Sequence, residues 1–141
     1  MLRRLTIAAA AATLSALSAA PADAWPLPAG PERLTVTAGE TGKPEWDGTY
    51  ELECAPAAAG THPAAAEACA RLLELAAGEA DPFAPVPTDT MCTFQYGGPA
   101  TARIHGTWRG KPVDATFSRS NGCEVSRWNN LEPVLPVAVA S

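Results

Sequence analysis

Between residues 34 and 54, apolar and polar side chains alternate in two runs. Leu34, Val36 and Ala38 are separated by Thr35 and Thr37, and Tyr50, Leu52 and Cys54 by Glu51 and Glu53. A period of two is what a strand with one buried face requires, so both runs predict strands. The polar, glycine-bearing stretch 39–48, with Pro44, predicts the loop between them. Later, Ala100, Ala102, Ile104 and Trp108 alternate with Thr101, Arg103, His105 and Thr107. That is a long strand, in which Gly106 marks a bulge or a close-packing point. Residues 109–112 read as a turn. Val113, Ala115 and Phe117 then alternate with Asp114, Thr116 and Ser118, which gives the return strand of a hairpin.

Between the two strand pairs the period changes. Ala65, Ala68, Cys69, Leu72, Leu73 and Ala76 recur at helical spacing, with Glu67, Arg71 and Glu74 on the other side. Glu67 is placed to meet Arg71 one turn on. Thr61 or His62 is the predicted cap, Pro63 falls in the first turn, and Gly78 is the stop. Residues 55–60 are a connection of small side chains, and Asn121-Gly122 reads as a turn. The tail from Leu131 is apolar, but Pro133 and Pro136 argue against a central strand. The sum is an α+β domain: an antiparallel sheet with one clear helix packed on one face.

Cysteine usage and the N-terminus add a compartment. Arg3 and Arg4 precede a short apolar run from Leu5 to Leu17, and Ala22-Asp23-Ala24 has the small-x-small form of a cleavage site. This predicts a signal peptide over residues 1–24, too short and wrongly flanked for a membrane span. Residues 25–33 follow as a flexible Pro-rich segment, and 34–141 as the domain. The expected product is secreted, extracellular and free of the membrane once the signal is cut. Removing Arg3, Arg4 and Asp23 leaves 8 basic and 14 acidic residues, a net charge of −6 against −5 for the whole chain. An acidic protein has no electrostatic reason to bind nucleic acid or anionic lipid.

All four cysteines, Cys54, Cys69, Cys92 and Cys123, lie beyond the signal. An even number in an exported chain implies disulfides, and four cysteines allow three pairings. The sequential pairing, Cys54–Cys69 and Cys92–Cys123, is the reading adopted. Cys54 falls on the apolar face of its strand and Cys69 on the apolar face of the helix, so a bond between them would staple helix to sheet. Closing a loop of that length is worth about 3 kcal/mol against the unfolded chain. A zinc site is the rival, but no C-x-x-C occurs and the two histidines lack ligand spacing. No metal or cofactor is expected.

A constellation for catalysis is not found. His62 and His105 are the only imidazoles; one reads as a cap residue and the other lies on the polar face of a strand. No G-x-S-x-G, H-E-x-x-H or phosphate loop is present. The stretch that stands out is Met91-Cys92-Thr93-Phe94-Gln95-Tyr96-Gly97-Gly98-Pro99, preceded by Pro82, Pro85 and Pro87. It cannot bury itself as a helix or central strand and reads as an exposed loop tied down at Cys92. Phe94 has two readings, a core aromatic that happens to follow a cysteine or the exposed anchor of that loop. The flanking polar residues and glycines favour the second.

With these residues in view, the chain resembles the subtilisin inhibitor-like family. The matching residues are Cys54-Ala55-Pro56, Gly60-Thr61-His62-Pro63-Ala64-Ala65, Cys69, Met91-Cys92 followed by Tyr96, Gly106-Thr107-Trp108-Arg109-Gly110-Lys111, and Phe117 through Asn121 to Cys123. They run in family order from Leu34 to about Glu124. The chain departs at Gly97-Gly98-Pro99, one residue longer than the usual Asp-Pro, at Gly122, and in the Pro-containing tail. The resemblance implies the sequential disulfide pairing, about five antiparallel strands with two helices, and a homodimer. It implies a serine protease inhibitor, no enzyme itself, with Phe94–Gln95 as the reactive bond and Met91, Cys92, Thr93 and Tyr96 around it. The partner would be a subtilisin-like or chymotrypsin-like serine protease, and the Asn121 amide would support loop carbonyls. A secreted binding module that uses the same loop without a protease target is the alternative. A small enzyme using His62 or His105 beside a carboxylate is the third possibility.

Overall fold

The computed structural model describes residues 32–139. The expected signal peptide and nearly all of the Pro-rich segment lie outside the described residues. The alternating runs form strands where the pattern placed them. Strand β1 spans Arg33–Gly39, β2 Gly48–Glu53, β4 Thr101–Trp108 and β5 Lys111–Phe117. A two-residue strand, β3 (Ala59–Gly60), pairs with the end of β2. The sheet is antiparallel with order β3-β2-β1-β4-β5, so β1 is central.

Register follows burial. Leu34 opposes Leu52, Val36 opposes Ile104, and Ile104 opposes Ala115, which puts every apolar member on one face. The other face carries short polar pairs across strands: Arg33 with Glu53, Thr35 with Glu51, Thr37 with Thr49, and Arg103 with Asp114. Opposite Leu34, Gly106 has φ +138°, and a β-carbon there would lie 2.2 Å from the Arg33 carbonyl oxygen. Close packing is therefore its role.

Helix α1 spans Ala65–Ala77 and ends at Gly78 as expected. Its start and its faces differ in detail. The cap is Ala64, with no side-chain bond, rather than Thr61 or His62. Thr61 instead accepts the Glu51 N–H at its hydroxyl (2.9 Å), and the buried His62 ring accepts the Ala64 N–H at Nδ1 (3.0 Å). Both side chains are used by the turn before the helix, which delays its first turn. Ala68, Cys69 and Leu72 are buried, but Leu73 is exposed and Leu75 packs inward in its place. Arg71 does not meet Glu67; it binds Glu74 (2.8 Å) and the Asn130 carbonyl (3.0 Å). Helix α2 spans Gly122–Asn130, so Asn121-Gly122 opens a helix rather than a turn.

The two disulfides are Cys54–Cys69 and Cys92–Cys123, with Cα atoms 5.4 and 5.3 Å apart. The first joins the end of β2 to the inner face of α1. The core lies between the apolar sheet face and a cover made of α1, Trp128 of α2 and the tail. The tail forms no strand, in keeping with its prolines, yet Leu131, Val134 and Leu135 are fully buried. Two bonds pin it. The Trp128 indole N–H donates to the Pro136 carbonyl (2.8 Å), and His62 Nε2 lies 2.9 Å from the Val134 carbonyl.

Candidate functional site

Between α1 and β4 the chain runs from residue 79 to 100 without regular structure. It leaves the helix through the proline segment, crosses the end of the molecule and enters the sheet at Thr101. What holds it is α2 together with the strand-to-helix connection 118–121. On the upstream leg Phe83 is buried, and Arg127 of α2 donates to the carbonyls of Phe83 (3.1 Å) and Ala84 (2.8 Å). The same guanidinium donates to the Thr116 carbonyl (2.6 Å) and lies 4.0 Å above the Phe117 ring. One side chain thus ties the leg to β5.

Further along, Cys92 is bonded to Cys123 in the first turn of α2. The Gly122 N–H donates to the Thr93 carbonyl (3.1 Å). A β-carbon at Gly122 would lie 1.9 Å from the Thr93 hydroxyl, so a larger residue there requires the Thr93 side chain to turn away. Beyond the tip, the Gly97 N–H donates to the Arg119 carbonyl (2.7 Å), and Arg119 Nε donates to the Gly97 carbonyl (3.0 Å). Three residues remain between these two ties: Phe94, Gln95 and Tyr96. Among the described residues, their backbones make no hydrogen bond to the rest of the chain. The Phe94 ring is wholly exposed at 102%, with Met91 at 95% and Tyr96 at 63%. Three large apolar side chains thus stand exposed on one short loop, and contiguous exposed apolar surface is characteristic of interaction sites.

Asn121 is the cap of α2: its side-chain oxygen accepts the Glu124 N–H (3.0 Å). The loop carbonyl is met instead by the backbone of its neighbour, Gly122. His62 and His105 are not brought together with the loop. His62 is in the core against Trp46 and Tyr50, and His105 lies within β4. A cavity of about 630 Å³ lies between the upstream leg and the β4–β5 hairpin, but no residue from Met91 to Gly98 lines it. The loop's large apolar side chains face solvent instead.

Residues 31–121 match the family described as subtilisin inhibitor-like. The chain belongs to that family. Among the relatives of this subtilisin inhibitor-like chain is a probable subtilase-type protease inhibitor of Streptomyces avermitilis. The two are 40% identical over 98 residues, which cover 66% of this chain and 65% of that protein. A subtilase-type protease inhibitor of Streptomyces coelicolor is 44% identical over 73 residues, 51% of this chain and 48% of its own. The chain therefore spans about half to two thirds of the length of these curated relatives. The protease inhibitor SIL-V5 of Streptomyces luteoverticillatus is 34% identical, over 67% of this chain and 89% of its own. Streptomyces caespitosus sermetstatin, solved in complex with Bacillus licheniformis subtilisin, is 29% identical with a TM-score of 0.45. That match covers 77% of this chain and 97% of the other.

Arg119, Arg127 and the amide of Gly122 were not singled out by the sequence pattern, although all three hold the loop. A signal for α2 does exist: Asn121 with Glu124 three residues on, then Val125, Trp128 and Leu131 at helical spacing.

Proposed function

We propose that this protein inhibits subtilisin-like, and also chymotrypsin-like, serine proteases by presenting Phe94–Gln95 as a substrate bond that is cut slowly and re-formed. The observation that carries the reading is the wholly exposed Phe94 ring on a backbone tied on both sides, at Thr93 and at Gly97. A protease binds its substrate as an extended segment. A loop already fixed loses little ordering entropy on docking. Phe94 would fill the apolar primary pocket, worth about 2–3 kcal/mol by area. Met91, Cys92 and Thr93 would pair with the cleft as an added strand, with Tyr96 on the far side of the bond. Asn121 supports the loop by fixing the start of α2, whose first amide holds the Thr93 carbonyl.

The names of the relatives support an inhibitor that is not itself an enzyme. The N-terminal pattern supports secretion with removal of residues 1–24, and the family resemblance supports a homodimer. The test is a titration of active-site-counted subtilisin with the purified protein lacking residues 1–24. Activity should fall linearly to zero at one inhibitor chain per enzyme, and mass spectrometry should find slow cleavage after Phe94. Full protease activity at equimolar protein would overturn the reading in favour of a binding module without a protease target.

A further inference from the structure

Arg119 is one of three buried polar or charged residues among the described residues, with Thr41 and His62. Burying a guanidinium is costly; among the described residues Arg119 has no carboxylate within ion-pair distance, and Glu132 acts on it only through space. Its contacts all serve one end of the molecule. Nε donates to the Gly97 carbonyl (3.0 Å), and a terminal nitrogen donates to the Asn129 side-chain oxygen on α2 (2.6 Å). Its guanidinium carbon stands 5.8 Å from the Trp128 ring centroid, and its own carbonyl accepts the Gly97 N–H. Gly97 is pressed against this support, since a β-carbon there would lie 2.5 Å from Val125 and 3.1 Å from Arg119.

We infer that Arg119 is a positioning residue for re-formation of the reactive bond, holding the leaving-group side of the cut loop. The inference rests on the function proposed above. When the protease serine attacks, its oxygen bonds to the Phe94 carbonyl carbon. The Phe94–Gln95 C–N bond breaks, and the Gln95 nitrogen leaves with a proton as a free amine. The disulfide at Cys92 and the Gly122 amide hold the acyl side. Neither holds the amine. Gln95 is two residues from Gly97, so a fixed Gly97 confines the amine to about 7 Å of chain reach. Religation needs that amine to attack the ester carbon, re-forming the C–N bond as the serine oxygen departs and recovers a proton. Proximity of this kind lets the amine compete with water. The segment involved, Gly97-Gly98-Pro99, is where the chain is one residue longer than its family resemblance leads one to expect.

The test uses Arg119→Met, which keeps an unbranched chain over Trp128 but removes the donors, and Asn129→Ala, which removes the exposed partner that orients the guanidinium. Without protease, amide exchange at Gly97 should rise at least tenfold more than at Ile104 in Arg119→Met. With subtilisin, the equilibrium ratio of nicked to intact inhibitor should rise about tenfold, and religation of purified nicked protein should slow by a similar factor. Asn129→Ala should shift all three in the same direction by less, and it carries the test if Arg119→Met does not fold. Gly97 exchange, nicked-to-intact ratio and religation rate all equal to the unaltered protein would overturn the inference. If the unaltered protein does not inhibit subtilisin, the functional reading falls, and Gly97 exchange alone decides whether Arg119 is the clamp.

Discussion

Phe94 and Gly122 show how much one position decides in this loop. Phe94 stands wholly exposed between the two ties, and Gly122 leaves room for the Thr93 side chain beside α2. The ring at 94 is wholly exposed and its backbone is fixed by neighbours, so the side chain can be exchanged without disturbing the fold. Phe94→Lys should move inhibition from subtilisin and chymotrypsin toward trypsin, whose primary pocket favours a cation. Loss of the ring removes about 2–3 kcal/mol of burial, a drop of roughly 30- to 150-fold in affinity for enzymes with an apolar pocket. Inhibition constants measured against all three enzymes check this, and unchanged values would place the contact elsewhere. Phe94 was legible in the sequence because its setting, a cysteine two residues before and glycines after, excludes a helix or an inner strand. Arg119 was not, because nothing near it in sequence marks it as buried. Its partners, Gly97 and Asn129, become neighbours only when β4, β5 and α2 are in place.

Elements with a strong period were readable and those without one were not. Strands β1, β2, β4 and β5 alternate over five or more residues, and α1 repeats an apolar face over more than three turns. Strand β3 is two residues long, too short for any period. Helix α2 has nine residues with only Val125 and Trp128 buried, and its opening Asn-Gly imitates a hairpin turn. The start of α1 differs from the pattern for another reason: tertiary contacts divert Thr61 to β2 and His62 to the tail. Helix α2 is the element that supports the loop, through Cys123, Gly122, Arg127 and Asn129. Replacing both Cys92 and Cys123 with serine leaves the arginine ties and the Gly122 amide but removes the covalent hold on the acyl side. The expected outcome is a protein cut after Phe94 within minutes by catalytic subtilisin and then hydrolysed rather than resealed, followed by mass spectrometry. Survival of intact chain for hours would show that the hydrogen bonds alone suffice.

At the scale of the whole molecule, the tail closes the core and His62 is where it is fastened. The ring accepts the Ala64 N–H at Nδ1, so the proton must sit on Nε2, which then donates to the Val134 carbonyl. Only the neutral imidazole satisfies both contacts, for a second proton would have to sit on Nδ1 facing an N–H group. Burial lowers the pKa of His62 below its ordinary value of 6.5, opposed by the bond to Val134. The rings beside it, Trp46 and Tyr50, carry no charge to offset that. The unfolded chain therefore takes up the proton more readily than the folded one. The contribution of His62 is fully present above pH of about 6.5 and is lost as pH falls from there through the lower folded value, with a limiting slope of about 1.4 kcal/mol per pH unit. Glu132, raised by burial, works the other way, because its protonation relieves the fold at lower pH. That relief sets in as pH falls through its raised folded value and is complete below its ordinary value of 4.5, so it opposes the His62 loss from the acid side. Urea midpoints should thus fall between pH 7 and 5.5 in the unaltered protein. His62→Gln offers one donor and one acceptor in similar places but no titration, so its midpoint should stay level across that interval. Parallel pH profiles for the two proteins would show that the fastening of the tail does not depend on the charge of this ring.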